Sequence, residues 1–334
     1  MKGMDKKYKL ICGPMATISH PAFRFLLEKF GGCDEYFTEM INAGSLLNWG
    51  PFEKYYVNPS PVPEKIVWQL TGYNGQSMIE AAKQLCELPG IGLDINMGCS
   101  APDIYKTGAG IAWMLKDINE TALMVRGIRQ VVKNRLSVKL RLGDDNFTDE
   151  KFYAFTDMLV SEGVELLTLH PRTKKEKLTR PARYNYCQEL CQRYKEKGIQ
   201  IYLNGNVKDC ASFENAVKAA PDVSGVMISR AAVEKPWIFH QLKGMESVQV
   251  DMLEMALDFI KDVEEYQPRE FWKTRLQRYF SYYPVNFLFS HYGQTQFLNA
   301  INTAEGSDET VNDKLRNALK EFFEKFPDEQ IKTF

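Results

Sequence analysis

Eight short apolar runs, each followed by a segment of helical length, constrain the fold of this chain more than any other feature. Gly, Pro, Asn and Asp residues mark the joins between run and helix. Eight such units over about 230 residues are typical of a (β/α)8 barrel, which takes roughly 250 residues. The predicted strands cover residues 8–12, 35–39, 65–70, 92–96, 136–142, 164–169, 199–203 and 224–228.

A doubly wound open sheet is the alternative fold for this alternation. That fold usually has fewer strands, and its first strand often leads into a G-x-G-x-x-G fingerprint. The first predicted strand here is followed by GPMATISH, which lacks the fingerprint. We therefore expect an α/β protein built on a TIM barrel.

The pattern changes after Lys243, where strand-like runs stop and only helical segments follow. Pro268, Pro284 and a turn at Gly306–Asp308 separate these segments. We predict a barrel domain over residues 1–243 and an all-helical domain over residues 244–334. The predicted helices of the second domain cover residues 249–266, 269–282, 285–302 and 309–326.

Composition limits the partners and the compartment. The 42 Lys and Arg residues against 43 Asp and Glu residues leave a net charge of −1, so only a local basic face could bind nucleic acid. Seven scattered cysteines fit reduced thiols, which predicts a cytoplasmic protein. Met1–Leu10 lacks the apolar core of a signal peptide, and no run reaches the roughly 18 apolar residues of a membrane span.

Several catalytic and metal-binding patterns are missing. The chain has no Gly-Lys pair, no His followed by Glu and no G-x-S-x-G, which argues against P-loop enzymes, zincins and α/β-hydrolases. Cys187 and Cys191 lie four residues apart on one predicted helix, but no second Cys/His pair at ligand spacing accompanies them. We expect no metal site.

Polar residues follow the predicted strands at the end where barrel enzymes place their active sites. Taken singly, each has a structural explanation: Gln69 or Asn96 could cap a turn, Glu39 could pair with Lys139 or Arg141, and His170 could be a core histidine. Their convergence from all eight strands favours a pocket for a polar cofactor or substrate. In strand order they are Gly13–Ala16, Glu39 and Met40, Gln69, Asn96–Cys99, Lys139 and Arg141, His170, Asn204–Asn206, and Ser229 and Arg230.

The last two strand ends indicate the kind of ligand. Asn204-Gly205-Asn206 and Ser229-Arg230 bring a close backbone approach, NH groups and a guanidinium to the place where TIM barrels often bind phosphate. These residues fit a phosphorylated cofactor, although two ordinary turns would also explain them.

Cys99 lies in a turn-rich stretch that would overhang the barrel mouth. A lone cysteine is usually buried and inert. A thiol facing Lys139 and His170 could instead act as an acid or a nucleophile.

These residues together resemble the tRNA-dihydrouridine synthases. The resemblance is ordered along the chain from about Cys12 to Phe239, and the helical tail is similar to the RNA-binding domain of that family in position and size. The segments that carry it are Pro14-Met15, Pro21–Arg24, Thr38–Met40, Asn96–Cys99 with Gly108–Gly110, Val138–Gly143, Leu169–Thr173, Asn204–Asn206, Gly225–Arg230 and Pro236–Phe239.

The resemblance implies an FMN enzyme that reduces the 5,6 double bond of specific uridines in tRNA with NADPH. It implies that Asn96 contacts the target uracil, that Cys99 donates the proton to C5, and that Lys139 stabilises negative charge on the reduced flavin. We take a monomer as the working expectation. The residues implied to contact FMN are Pro14, Met15, Gln69, Lys139, His170, Asn204, Gly205, Asn206, Ser229 and Arg230.

Four positions depart from the pattern of that family. Asn206 stands where the family usually has Asp, and Ser229-Arg230-Ala231 stands where it usually has Gly-Arg-Gly. Pro171 replaces a Gly or Ala and removes a backbone NH donor. These differences bear on flavin affinity rather than on the class of reaction.

Two basic clusters are candidate phosphate contacts, and either could equally be a solvated face. Residues 171–200 hold nine basic and three acidic residues, which predicts a patch of charge +6 beside the barrel mouth, with Arg180 and Arg183 as tRNA contacts. The nine are Arg172, Lys174, Lys175, Lys177, Arg180, Arg183, Arg193, Lys195 and Lys197. The second cluster is Arg269, Lys273, Arg275 and Arg278.

Two other functions remain open from the sequence. One is a flavin barrel that acts on a free pyrimidine, in the manner of dihydroorotate dehydrogenases, for which a basic helical tail would have no use. The other is a tRNA-binding protein whose catalysis is secondary, against which the intact Cys99, Lys139 and His170 argue.

Overall fold

A computed structural model describes residues 8–144, 146–176, 179–245, 247–303 and 310–334. The predicted turn at Gly306–Asp308 and the first seven residues lie outside these ranges. The strands are β1 (Lys9–Cys12), β2 (Glu35–Phe37), β3 (Ile41–Asn42), β4 (Ile66–Thr71), β5 (Gly92–Met97), β6 (Arg135–Gly143), β7 (Leu166–Thr173), β8 (Gln200–Asn204), β9 (Gly225–Ile228), β10 (Gln249–Asp251) and β11 (Ile331–Thr333).

The α-helices follow the strands around the outside of the molecule. Asn74, Asp117, Thr148 and Thr310 each cap the helix that begins after them by accepting a backbone N–H bond. The helices are α1 (Pro21–Lys29), α2 (Ala43–Asn48), α3 (Glu53–Tyr56), α4 (Gly75–Leu85), α5 (Pro102–Tyr105), α6 (Ile118–Val131), α7 (Asp149–Ser161), α8 (Asn185–Arg193), α9 (Cys210–Ala219), α10 (Arg230–Glu234), α11 (Ile238–Leu242), α12 (Met252–Tyr266), α13 (Arg269–Phe280), α14 (Ser290–Asn302) and α15 (Val311–Lys325).

The sheet of β1 to β9 is parallel and closed, which confirms the predicted TIM barrel. β1 pairs with β2 on one side and with β9 on the other, and β2 also pairs with β4. Pairs of neighbouring strands from β4 to β9 complete the ring. Each of the eight predicted strands overlaps a strand of this barrel.

The second strand of the barrel is interrupted, which the sequence did not predict. The predicted strand 35–39 ends at Phe37, and β3 pairs with β4 after a gap at Thr38–Met40. The hydroxyl oxygen of Thr38 accepts the backbone N–H of Gln69 at 3.0 Å in this gap. The Thr38 side chain therefore takes the place of a backbone acceptor in the sheet. Glu39 lies in the gap between β2 and β3 rather than in a strand.

β7 corresponds to the predicted strand 164–169 but extends beyond it as far as Thr173. The register between β6 and β7 shifts here: Arg141 lies opposite His170, whereas Gly143 lies opposite Thr173. Pro171 lies inside this irregular stretch and has no N–H for a ladder bond. The extension carries His170 and Arg172 on one side of the strand, because side chains alternate along a strand.

A buried ion-pair cluster lies at the amino ends of the strands. The Glu35 carboxylate accepts two bonds from Arg135, at 2.8 and 2.7 Å, one from Lys9 at 2.9 Å and one from the Tyr202 hydroxyl at 2.9 Å. Burial alone would raise the pKa of Glu35, but the bonds and charges of Arg135 and Lys9 hold it below its usual value. This end of the barrel is structural, since functional loops lie at the other.

The described residues after Lys243 are helical except for one small sheet and the turns between elements. β10 pairs antiparallel with β11, so the prediction of an all-helical region is wrong at these two segments. The predicted helix 249–266 begins at Met252 because Asp251 caps it, its side chain accepting the backbone N–H of Glu254 at 2.9 Å. The partner strand lies some 80 residues away, and local patterns do not show such a pairing.

The helical region packs against the barrel through α1 and α12. The buried rings of Phe259 and Tyr279 stack at 3.9 Å within it, and the ring of Phe334 stacks on buried Trp237 of the barrel region at 4.1 Å. The division into two domains near residue 243 stays a prediction. Among the described residues, no helix combines the length and the apolar character that a bilayer crossing requires.

Candidate active site

A cavity of about 460 Å³ opens at the carboxyl ends of β6 to β9. Its size is within the range of small-ligand sites. Four cations line it, Lys139, Arg172, Lys208 and Arg230, whereas Glu234 is the single acidic residue among its described lining residues. The remaining lining residues are His170, Asn204, Gly205, Asn206, Val207, Met227, Ser229 and Ala231.

Seven predicted cofactor residues therefore meet in one place. The other three do not line this cavity: Pro14 and Met15 lie in the loop after β1, and Gln69 is buried in β4. The seven that line the cavity are Lys139, His170, Asn204, Gly205, Asn206, Ser229 and Arg230.

Buried polar side chains of β4, β5 and β6 form a chain of hydrogen bonds beneath the mouth. The Gln69 amide donates to Asp94 at 2.8 Å and accepts from the Asn96 amide at 2.9 Å. The Ser137 hydroxyl donates to the other Asp94 oxygen at 2.7 Å. Gln69 and Asn96 are thus held in fixed orientations by the protein itself.

Asp94 is a buried polar residue of the site that was not among the predicted site residues. It shares a face of β5 with Asn96, two residues on, and that alternation was the available signal. Burial raises the pKa of Asp94 to about 6, and the bonds from Ser137 and Gln69 and the charge of Lys139 only partly offset burial. This carboxyl therefore titrates close to neutral pH.

Asn96 also shapes the loop that carries Cys99. Its side-chain oxygen accepts the backbone N–H groups of Cys99 at 2.9 Å and of Gly98 at 3.3 Å, as in a capped turn. The carbonyl of Cys99 accepts the N–H of Ile111 at 3.0 Å, and a Cβ on Gly110 would lie 2.5 Å from that carbonyl oxygen. The half-buried Cys99 thus sits on a braced turn at the mouth.

Lys139 lies opposite Asn96 in the β5–β6 ladder. Its ammonium forms no hydrogen bond or ion pair with any residue that the structure describes. Burial and the neighbouring Arg141 lower its pKa to about 8, against the opposing charges of Asp94 and Cys99. The group is a desolvated cation that remains available to a ligand.

His170 and Arg172 form the inner wall of the cavity. A guanidinium nitrogen of Arg172 lies 2.9 Å from Nε2 of His170. Burial and the cations Arg141, Lys139, Arg172 and Arg230 lower the pKa of His170 to about 2, so the imidazole is neutral. Since a guanidinium can only donate, Nε2 accepts and the ring proton is on Nδ1.

The predicted exposure of Arg172 is wrong. The sequence placed it in an exposed basic patch, but the side chain is fully buried. Its Nε donates to the carbonyl of Arg180 at 2.5 Å, whereas its second terminal nitrogen has no partner among the described residues. A buried guanidinium with an unused donor beside a cavity fits an anionic or carbonyl-bearing ligand.

The turns after β8 and β9 fit a bound phosphate group. Gly205 has φ +129°, and a Cβ there would lie 3.1 Å from the His170 ring, so this turn needs glycine. Asn206 has φ +58°, a conformation that Asn tolerates better than most residues. A Cβ on Gly13 would lie 2.3 Å from the Ser229 hydroxyl, so glycine lets the end of β1 approach Ser229.

Glu39 pairs with neither Lys139 nor Arg141. Its ion-pair partner is Arg275 of α13, at 2.5 Å. Arg275 is itself buried, so it cannot belong to an exposed phosphate-binding cluster as predicted. The exposed cations of that helix are Arg269 and Arg278, and Lys273 is half-buried.

The predicted +6 patch of residues 171–200 is divided in the structure. Arg183 pairs with Glu176 at 2.7 Å, and Arg180 is exposed beside the mouth. α8 runs back toward the amino ends of the strands, so Arg193, Lys195 and Lys197 after it lie away from the mouth. Lys177 lies outside the described residues.

Neither a reactive Cys187 nor a cluster of metal ligands is found among the described residues. Cys187 is fully buried, and burial raises its pKa well above the usual value. No cluster of three or more His, Cys, Asp or Glu side chains suited to a metal ion occurs in the described ranges.

Comparison with known proteins relates this chain to a protein family. The profile of the family described as Dihydrouridine synthase (Dus) matches residues 10–322. A probable tRNA-dihydrouridine synthase of Aquifex aeolicus is 31% identical over 274 residues, which cover 79% of this chain and 83% of that protein. A probable tRNA-dihydrouridine synthase of Helicobacter pylori strain J99 is 27% identical over 333 residues, 96% of this chain and 94% of that protein.

A human relative is longer. It is described as a tRNA-dihydrouridine(47) synthase-like protein and is 30% identical over 267 residues, 79% of this chain but only 40% of the human protein. The family match extends through the barrel and into α15 of the helical region. With the barrel, the cationic cavity and Cys99 at its mouth in view, this match shows that the chain belongs to the dihydrouridine synthase family.

Proposed function

We propose that this protein is a flavin-dependent tRNA-dihydrouridine synthase that reduces the 5,6 double bond of uridines in tRNA. The observation that carries the proposal is the cavity at the ends of β6 to β9, where seven predicted cofactor residues meet. Lys139 of this cavity pairs with Asn96 in the neighbouring strand, which leads into the Cys99 loop. The membership of the chain in the dihydrouridine synthase family supports the same reaction.

The groups that line the cavity are of the kind that would bind FMN. The turns at Asn204–Asn206 and Ser229-Arg230 would hold the phosphate, with Lys208 as an additional cation. The Arg172 guanidinium and the Lys139 ammonium, which both line the cavity, would supply donors for polar edges of the ring. Bound FMN would supply hydride, with NADPH as the proposed source of electrons.

Cys99 is the proposed proton donor. Its turn is fixed by Asn96 and by the Ile111 N–H, so the thiol can be held at the mouth where a uracil enters. A positioned thiol can act as a general acid toward C5, the carbon next to the C6 that would receive the hydride. Asn96 is proposed to contact the same uracil through the amide that it also uses for Gln69.

tRNA is the proposed partner. The exposed Arg180 beside the mouth, the half-buried Arg183 and the exposed Arg269 and Arg278 of α13 are the proposed phosphate contacts. A uridine must leave its stack to enter a barrel, and contacts outside the cavity offset that cost. The helical region is proposed as the tRNA-binding domain, and a cytoplasmic monomer stays a prediction.

A reductase of free pyrimidines is the second candidate, supported by the same cavity. The decisive experiment pairs a visible spectrum of the purified protein with reduction assays on tRNA transcripts and on free uracil and orotate. Flavin absorbance with reduction of tRNA alone supports the proposal. Flavin with reduction of a free base only would replace it with the second candidate.

A further inference from the structure

A buried ion pair links the helical region, through Glu39, to the loop after β1, which carries the predicted flavin contacts Pro14 and Met15. Arg275 of α13 donates to Oε1 of Glu39 at 2.5 Å, and the same oxygen accepts the backbone N–H of Thr17 at 2.5 Å. Arg275 is 2% exposed and Glu39 6%, so water does not compete for the contact. One carboxylate oxygen therefore links a helix of the C-terminal region to the loop after β1.

Thr17 is in a strained conformation. Its φ is +64°, in the left-handed region that β-branched residues seldom adopt. The bond to Glu39 helps to hold the Thr17 peptide in this conformation. The N–H groups of Ile18 and Ser19, which follow Thr17, bond back to the Met15 carbonyl at 3.1 and 3.0 Å, so Thr17 and Met15 belong to one hydrogen-bonded turn.

The other end of the loop is anchored by the barrel alone. The Ser19 hydroxyl oxygen accepts the N–H of Met15 at 2.9 Å and donates to the carbonyl of Gly13 at 3.2 Å. Arg24 donates to the carbonyl of Ser19 at 2.9 Å. Among the hydrogen bonds of the described residues that hold this loop, the one at Thr17 reaches a residue of the helical region, through Glu39 to Arg275.

Arg275 is itself held in place by residues of both the helical region and the barrel. Its Nε donates to the side-chain oxygen of Gln267, between α12 and α13, at 3.1 Å. Its guanidinium carbon lies 5.2 Å from the ring of Phe271 on its own helix and 5.8 Å from the ring of Tyr56 in α3. The cation thus has a fixed position relative to both regions.

We propose that Arg275 is a positioning residue that, through Glu39 and Thr17, sets the loop Gly13–Ser19 in its flavin-binding conformation. This inference rests on the proposed function, since it takes Met15 as a flavin contact. The same helix presents Arg269 and Arg278 to solvent, so tRNA bound there would act on a helix that is tied to the cofactor loop. The flavin site is therefore complete only with the helical region in place.

The test measures FMN release from the holo protein on serial dilution, by the rise in flavin fluorescence, without tRNA. Arg275→Met is expected to weaken FMN binding at least tenfold, and Arg275→Lys to recover most of the affinity. Arg316→Met is the matched control, because it breaks an Arg–Glu pair between α15 and α12 within the helical region. The control should stay within twofold of wild type.

Kinetics separate an effect on the flavin loop from an effect on tRNA binding. With FMN in excess, Arg275→Met should lower kcat and leave the KM for tRNA within threefold. A raised KM with unchanged FMN affinity would mean that Arg275 supports tRNA binding by α13 rather than the flavin loop, and would overturn the inference. If Arg275→Met does not fold, the double variant Glu39→Gln with Arg275→Met removes the unpaired charge, and wild-type FMN affinity in that variant would also overturn it.

The inference and the proposed function fail in different ways. A wild-type protein that carries no flavin contradicts the proposed function. A wild-type protein that carries flavin, together with unchanged affinity in folded Arg275→Met, overturns the role of Arg275 alone.

Discussion

The guanidinium of Arg172 and Nε2 of His170 lie 2.9 Å apart inside the barrel mouth, and this contact fixes the tautomer of the histidine. The imidazole presents a proton on Nδ1, and Arg172 keeps one further nitrogen without a partner among the described residues. One neutral donor, the Nδ1–H of His170, and one cationic donor, the guanidinium of Arg172, are therefore in place on β7 before any ligand binds.

We predict that Arg172→Met weakens FMN binding by about 10- to 100-fold, the worth of a hydrogen bond to a charged group. Flavin release on dilution measures this, and ¹⁵N spectra of the imidazole should show the loss of the fixed tautomer. Arg193→Met is the control, because Arg193 pairs with Asp157 on the outer shell. Equal flavin affinity in both variants would remove Arg172 from the site.

The alkaline side of the pH profile should depend on Lys139. Its pKa is lowered to about 8, so the ammonium is charged at pH 7 and loses its proton as the pH rises through 8. We expect kcat/KM to fall about tenfold per pH unit above that value, because kcat/KM reports groups of the free enzyme. Lys139→Arg keeps its charge and should move the decline to higher pH; an unchanged profile would contradict this role.

Asp94→Asn should stabilise the protein at pH 7.5. The pKa of Asp94 is raised from 3.8 to about 6, so the ionised form disfavours the folded state above pH 6, by about 3 kcal/mol at most. This cost disappears as the pH falls from 6 toward 3.8. After imperfect hydrogen bonding to Ser137 and Gln69, we expect a gain of about 1–2 kcal/mol at pH 7.5. Urea unfolding at pH 7.5 and pH 5 tests it, and an equal effect at both would refute the assignment.

Gly205→Ala should destabilise the protein by about 1–3 kcal/mol, because φ is +129° and the new Cβ would press on His170. Gly198→Ala is the matched control, since Gly198 also has a positive φ, +67°, but open space around its Cβ position. Thermal melts compare stability, and flavin release shows whether the turn also serves the cofactor. If the two variants lose the same stability, the contact with His170 is unimportant.

The sequence predicted the barrel because its signals are local. Each strand is a buried apolar run and each join has turn residues, so β1 and β4 to β9 could be placed within a few residues. The strand ends then brought Lys139, His170, Asn204 and Arg230 to one mouth.

The errors arose where distant contacts decide the structure. In the sequence, Arg172 is close to several lysines, which suggested an exposed basic patch. Pro171 obscures the strand alternation that places the Arg172 side chain on the same side as His170. Arg275 looks like part of a basic helix face, and only the fold shows Glu39 as its partner. The pairing of β10 with β11 likewise has no local signal.

The most direct test of the central claim is dihydrouridine content, measured by mass spectrometry of individual tRNAs from cells that carry the wild-type gene, Cys99→Ala or no gene. We predict that dihydrouridine disappears at specific tRNA positions without the gene, and that Cys99→Ala keeps flavin and tRNA binding but restores little of it, since general acids contribute about 10²- to 10⁴-fold. Unchanged dihydrouridine in cells without the gene would contradict the account.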